Sequence, residues 1–150
     1  MAVAYNFLKY LIGYYLINKK KCLAIIPARG GSKRLKRKNI KLFNDKPLIA
    51  WSIIEAKKSQ YIDEIIVSTE DKEIAEVALS YGASVPYLRP ISLSDDSVGA
   101  TEPVLELLSN IGGYKQVVLL QPTSPLRLSK DIDACIKVSE DHEGTACVSI

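Results

Sequence analysis

Lys33, Arg34, Lys36, Arg37, Lys38 and Lys41 put six cations within nine positions, directly after Gly30-Gly31 and an apolar run over residues 23–26. Cations at that density beside paired glycines can hold a polyanion. The glycines let backbone N–H groups approach the ligand, and the side chains neutralise its charge. The apolar run reads as a buried strand that Pro27 stops, so the stretch LAIIPARGGSKRLKRKNI (23–40) grows from a fixed point, as anion sites of α/β proteins do. The expected ligand of the loop as a whole is a nucleoside triphosphate. Taken singly, Arg34, Lys36 and Arg37 are expected in solvent. Spacing alone goes no further, because there is no GxGxxG and Gly30-Gly31-Ser32-Lys33 is only a partial echo of GxxxxGK[ST].

The charge is concentrated at this end of the chain. Residues 1–41 carry eleven Lys/Arg and no acid, while the other nine Lys/Arg share 42–150 with all seventeen Asp/Glu, a balance of −8 inside an overall +3. A field confined to one loop suits a small anion better than a protein-wide nucleic-acid coat. Nor are aromatic residues interleaved over 33–41, as a base-stacking surface needs, and only Phe43 lies just beyond. With 47% apolar and 25% charged residues in 150, the chain can bury a core and does not have the composition of a disordered one. Cys22, Cys135 and Cys147 are far apart, and His142 is the single histidine, so no zinc set is spelled out. Reduced, buried thiols in a cytoplasmic protein are expected. Asp95-Asp96 reads as a solvated turn rather than a metal pair.

Holding such a loop takes a sheet. Asn44-Asp45-Lys46-Pro47 is turn chemistry with Pro47 placed for a first helical turn, and Ile49, Ala50, Ile53 and Ile54 then recur at helical spacing. A strand is expected over 62–68. A helix over 71–81 follows, striped by Ile74, Val77, Ala78 and Tyr81 and stopped by Gly82. Residues 84–88 read as a short extended segment and 89–100 as a polar loop. Thr101 is placed to cap a helix striped by Val104, Leu107, Leu108 and Ile111. Residues 116–120 read as a third buried strand, followed by the loop QPTSPLR, a helix from about Ser129, and a final strand over 146–150. Apolar strands alternating with amphipathic helices predict βαβ units and a mainly parallel sheet covered on both faces. Ligands of such sheets lie beyond the carboxyl ends of the strands, so the loops after Pro27, Ser68 and Leu120 are expected on one rim.

Residues 1–21, apolar and then basic, do not resemble the rest. The apolar part spans sixteen residues and is interrupted by Lys9, whereas a spanning helix needs roughly 20 apolar residues. Its positive charges, Lys19 to Lys21, follow the apolar run, the reverse of a secretory signal. An N-terminal extension is the first reading, a helix packed on this protein or a partner the second, and a membrane-surface anchor the last.

IIPARGGSKRLKRKNI, DKPLIAWSI, DEIIVSTEDKEIAEVALSYGASVPYLRP and LLQPTSPLR, in that order, resemble the acylneuraminate cytidylyltransferases over residues 22–150. The resemblance implies a Rossmann-like nucleotidyltransferase α/β sandwich and the transfer of CMP from CTP to a nonulosonic (sialic- or legionaminic-type) sugar acid. A cytidylyltransferase for the eight-carbon acid Kdo and a non-catalytic nucleotide-binding remnant are the alternatives. By the same resemblance Arg29, Gly30, Ser32, Lys33, Lys38, Asn39 and Arg89 match nucleotide-binding positions. Arg29 and Lys38 among them would steady charge on the departing pyrophosphate, and Gln121 matches a position that touches the sugar acid. Arg127 is expected to be structural. Glu70 stands where Asp is common in the family, and Lys36 where Pro is. The family uses Mg²⁺, but the aspartates that hold it, and the segment through which subunits pair into a homodimer, are expected beyond Ile150. Residues 22–150 are therefore expected to be the nucleotide-binding part of a cytidylyltransferase domain truncated on its C-terminal side.

Overall fold

A computed structural model describes residues 21–32, 35–95, 98–99, 101–142 and 146–148. The core is a three-stranded parallel sheet with β1 (Cys22–Pro27) at its centre, β4 (Glu64–Ser68) on one side and β5 (Gln116–Leu119) on the other. Between β1 and β4 the chain makes a 3-10 turn (Lys38–Ile40), then a small antiparallel hairpin of β2 (Leu42–Phe43) and β3 (Lys46–Pro47), then helix α1 (Leu48–Lys58). Asn44 and Asp45 both take positive φ, 48° and 64°, as a two-residue hairpin turn of the primed kind requires. Helix α2 (Lys72–Ser80) follows β4, α3 (Glu102–Asn110) precedes β5, and α4 (Ser129–Asp141) follows it. The β–α alternation and the parallel pairing of the strands are those expected from the sequence.

The period-two alternation of β1 divides the core. Cys22, Ala24 and Ile26, with Ile65 and Val67 of β4, pack under Ile49 and Ile53 of α1, Ile74 and Ala78 of α2, and Ile132 and Ile136 of α4. Leu23 and Ile25, with Ile66, face the other way and meet Leu107, Val104 and Leu108 of α3. Burial of β1 on both faces explains its unbroken apolar run.

Three expectations are corrected. Residues 116–120 do not form a strand buried throughout: Val117 and Leu119 are 37% and 39% exposed, and only Leu120 is fully covered. The physical reason is that α3 packs on β1 and β4, and among the described residues no helix lies over the same face of β5. Thr101 stands before α3, but its backbone is already helical and its hydroxyl makes no cap bond to the helix amides. Residues 146–148 are not in a strand, and 149–150 lie outside the described residues. Residues 84–88 pair only through Ser84, which bridges Ile66 in parallel. Cys22 is buried while Cys135 and Cys147 are half-buried. Burial first, then Asp63 and Glu140, pushes the Cys22 thiol up to about 11. Residues 1–20 lie outside the described residues, and no helix among those described is long and apolar enough to cross a membrane.

Candidate functional site

The parallel register carries β1 and β4 past their ends together. Ala28 N–H still donates to Ser68 O at 3.0 Å, so residues 29–32 leave the sheet beside 69–71. Glu70 stands at that junction. Its Oε1 accepts from Gly30 N–H at 2.8 Å, and its Oε2 accepts from Arg89 Nη2 at 3.1 Å and from Ser94 Oγ at 2.7 Å. Arg89 also donates from Nη1 to Ser68 O and from Nε to Ser94 Oγ, and its side chain is only 4% exposed. Burial pulls the Arg89 guanidinium below its ordinary range, opposed mainly by the Glu70 carboxylate, with Arg29 close enough to add to the lowering. Two arginines thus sit near each other at the carboxyl edge of the sheet, one of them paired to the Glu70 carboxylate.

Asp71 fixes the other side of the loop. Its Oδ1 accepts from the amides of Glu73 and Ile74, capping α2, while Arg37 binds both of its oxygens and also reaches Glu73. Arg37 is therefore not a solvated cation, contrary to expectation. It holds a left-handed conformation, φ 58°, that its two carboxylate partners and the 3-10 turn after it stabilise. The hydrogen bond from Arg37, then the α2 amides, keeps the Asp71 carboxyl below the usual carboxylate range against the opposing effect of burial. A carboxyl depressed on folding contributes stability that is complete above its unfolded pKa, about 3.9, and is lost as pH falls through the folded value. Wild-type protein should therefore lose more stability between pH 7 and pH 3 than Asp71→Asn, which keeps a capping side chain without the charge. Urea midpoints at the two pH values measure the difference. Equal losses would show that Asp71 ionisation contributes nothing.

The expected site residues divide. Arg29 and Gly30 stand at the rim; Arg29 Nη1 lies 3.5 Å from Ser94 O, and Asn39 Nδ2 donates to Arg29 O at 2.9 Å. Asn39 is buried, so the structure gives it the task of anchoring the loop backbone. Ser32 N–H donates to Gly30 O, closing a tight turn, and half-buried Lys38 opens the 3-10 turn. Lys33 lies outside the described residues, as do Arg34 and Asp96. Arg89 is close to the loop but spends its donors on protein groups. Gln121 begins the loop after β5, and its side chain is exposed there. Ser52 Oγ and Arg127 Nη2 donate to its backbone oxygen, which gives Arg127 the loop-tying role expected of it. Sequence reasoning missed Glu70 and Arg37 as the groups that hold the site together. The adjacent acids of STED, facing a loop with no acid of its own, were the available signal.

Gly30 needs to be glycine for a local reason. A Cβ there would fall well inside contact distance of Asp71 Oδ2 and within 3.0 Å of its Cγ, whereas a Cβ on Gly31 meets nothing within 4 Å. For a divalent cation the rim offers Glu70 and Asp71, but both carboxylates are taken by Arg89, Arg37 and backbone amides. Among the described residues no group of three His, Cys, Asp or Glu side chains could hold a metal ion. These residues do not fit a Mg²⁺ site.

A family profile described as cytidylyltransferase matches residues 23–147, from β1 past the end of α4 and through every rim loop. The chain belongs to the cytidylyltransferase family. Over 132 residues it is 45% identical to the CMP-N,N'-diacetyllegionaminic acid synthase of Legionella pneumophila, a match covering 85% of this chain and 56% of that protein. Over 116 residues it is 51% identical to the pseudaminic acid cytidylyltransferase of Campylobacter jejuni, covering 75% and 50%. The chain spans about half the length of these relatives. Among solved structures, a CMP:2-keto-3-deoxy-manno-octonic acid synthetase complexed with CTP superposes with a TM-score of 0.71 at 21% identity, covering 83% of this chain and 49% of that one. That likeness establishes the Rossmann-like cytidylyltransferase fold. The network of Glu70, Arg89, Asp71 and Arg37 lies wholly within the region this family shares.

Proposed function

We propose that this cytidylyltransferase binds CTP in the loop after β1 and transfers CMP to a nonulosonic sugar acid, releasing pyrophosphate. The observation that carries the reading is the family match across all three rim loops, with relatives named for legionaminic and pseudaminic acids. In the transfer, the anomeric hydroxyl oxygen of the sugar acid forms a bond to the α-phosphorus as the bond from that phosphorus to the bridging β-phosphate oxygen breaks. Pyrophosphate leaves with the electron pair, and the hydroxyl proton passes to solvent. Such a transfer asks the protein for position and charge neutralisation more than for covalent help.

Arg29 and Lys38 supply the charge beside the triphosphate, with Ser32 and Lys33 completing the grip. Gly30 and Asn39 hold the loop's shape, one against Asp71 and the other through the Arg29 carbonyl. Arg89 serves the cytidine side by fixing Glu70 and Ser94 rather than by direct contact. Gln121, exposed on the adjoining loop, meets the sugar acid. Mg²⁺ would add neutralisation of the phosphates when bound, but the rim residues do not supply its ligands and no step here runs through it. The cytoplasm, which holds nucleoside triphosphates, is the compartment this reading requires.

The test is thermal stabilisation by CTP and by ATP, with Arg29→Ala and Lys38→Ala beside the wild type. CTP at a hundred times its Kd should stabilise the fold by about 2.7 kcal/mol. Each variant should bind CTP some tenfold to a hundredfold more weakly, the weight of a charged hydrogen bond of about 1.5–3 kcal/mol. Equal responses to CTP and ATP would contradict the reading. Pyrophosphate release with a panel of sugar acids should be slight for residues 1–150 alone, since among the described residues no three His, Cys, Asp or Glu side chains group as cation ligands. Robust CMP-sugar formation by that chain alone would overturn this expectation.

A further inference from the structure

Two of the three cysteines meet at the groove beside β5. Cys135 stands one helical turn after Ile132 and next to Ile136, the residues by which α4 packs into the core, so its half-buried thiol lies at the margin of that stripe. Cys147, twelve residues on and also half-buried, belongs to no helix or strand. The Cys135 thiol donates to Cys147 O, with Sγ 3.5 Å from the oxygen. Both residues are thiols rather than a disulfide. A bridge between them needs only that the Cys147 side chain turn to the sulfur its own carbonyl already meets.

Access and reactivity single out the same pair. Both cysteines line a cavity of about 1490 Å³ between β5, α4 and residues 146–148, and Ala146 and Val148 on either side of Cys147 are exposed. A thiol reagent the size of a short peptide has room to reach Cys147 there. Cys22 differs on both counts. It is 2% exposed, and its thiol, pushed up to about 11, is thiolate at roughly one part in ten thousand at pH 7.

We propose that Cys135 and Cys147 are a reversible dithiol–disulfide pair, closed by glutathione disulfide, that ties residues 146–148 to α4. The Cys147 thiolate attacks one sulfur of glutathione disulfide, forms a mixed disulfide and expels one glutathione thiolate. Cys135, losing its proton, then attacks the Cys147 sulfur, so that the protein S–S bond forms and the second glutathione leaves. Two protein thiols are oxidised, one glutathione disulfide is reduced to two glutathiones, and the two protons go to the leaving thiolates. Disulfides inside cells are transient and follow the state of the thiol pool, so the bridge reports oxidation rather than holding the fold permanently.

The experiment incubates the reduced 150-residue chain with excess glutathione disulfide. The quenched product should have lost two hydrogens and carry no glutathione, with titratable thiols falling from three to one and peptide mapping joining Cys135 to Cys147. The bridged protein should melt roughly 5 °C higher than the reduced one, because the bridge restrains the unfolded chain. Excess dithiothreitol should restore three thiols and the original melting temperature. Cys135→Ser should instead retain one glutathione on Cys147, and Cys22→Ala should bridge as the wild type does. Lasting glutathione adducts on the wild type, a bridge that includes Cys22, cross-linked dimers or three unchanged thiols would each overturn the proposal. So would a bridged chain that melts no higher than the reduced one, since the fold would then not bring the pair together. None of these readouts involves CTP, so their failure leaves the nucleotide reading standing.

Discussion

Glu70→Ala should lower the unfolding free energy by about 3 kcal/mol and abolish CTP binding with it. The size follows from what the carboxylate touches. Arg89 is 4% exposed at its side chain and Glu70 14%, and removing one member of a buried pair leaves the other charge without compensation. The same truncation releases Gly30 N–H and Ser94 Oγ, so the basic loop loses its attachment to the end of β4. Glu70→Gln should fall between alanine and wild type, because an amide oxygen can still accept from Gly30 while the charge opposite Arg89 is gone. Urea unfolding and CTP titration of the three proteins make the comparison. A stability loss below about 1 kcal/mol with CTP binding intact would show that Glu70 does not organise the rim.

Gly30→Ala should cost about 2 kcal/mol and weaken CTP binding, whereas Gly31→Ala should stay within about 0.5 kcal/mol of wild type. The contrast comes from Asp71. A methyl group on Gly30 would press on a carboxylate that cannot swing aside without giving up the α2 cap and Arg37. Loss of the cap alone is worth about 1 kcal/mol. Gly31 faces open space, so a methyl group there meets nothing. Denaturation midpoints of the two variants decide the matter. Equal effects would mean that the pair serves only backbone freedom, as the sequence by itself suggests.

That difference marks how far the sequence could be read. The apolar run at 23–26, the helical stripe of Ile74, Val77 and Ala78, and the spacing between strands identified the parallel sheet, because periodicity reports burial directly. The rule that ligands lie beyond strand ends then grouped the loops after Pro27, Ser68 and Leu120, and the Ala28 to Ser68 hydrogen bond puts the first two side by side. What escaped was long-range pairing. Arg37 and Asp71 are 34 residues apart, and a run of six cations carries no mark of which one turns back to an acid. Glu70 sits in a polar turn without periodicity, so its three partners were invisible. β5 looked buried because its residues are apolar, yet apolar composition does not distinguish a covered strand from an edge whose cover is not part of the described structure.

The loop after β1 is the proposed seat of the triphosphate. Amide chemical shifts followed during a CTP titration test it most directly. The largest changes should fall at Gly31, Ser32 and Lys38, with smaller changes at Gly30 and Glu70, and ATP should move the same amides less. Largest changes at residues 115–121 together with 134–140, along the cavity beside β5, would contradict it.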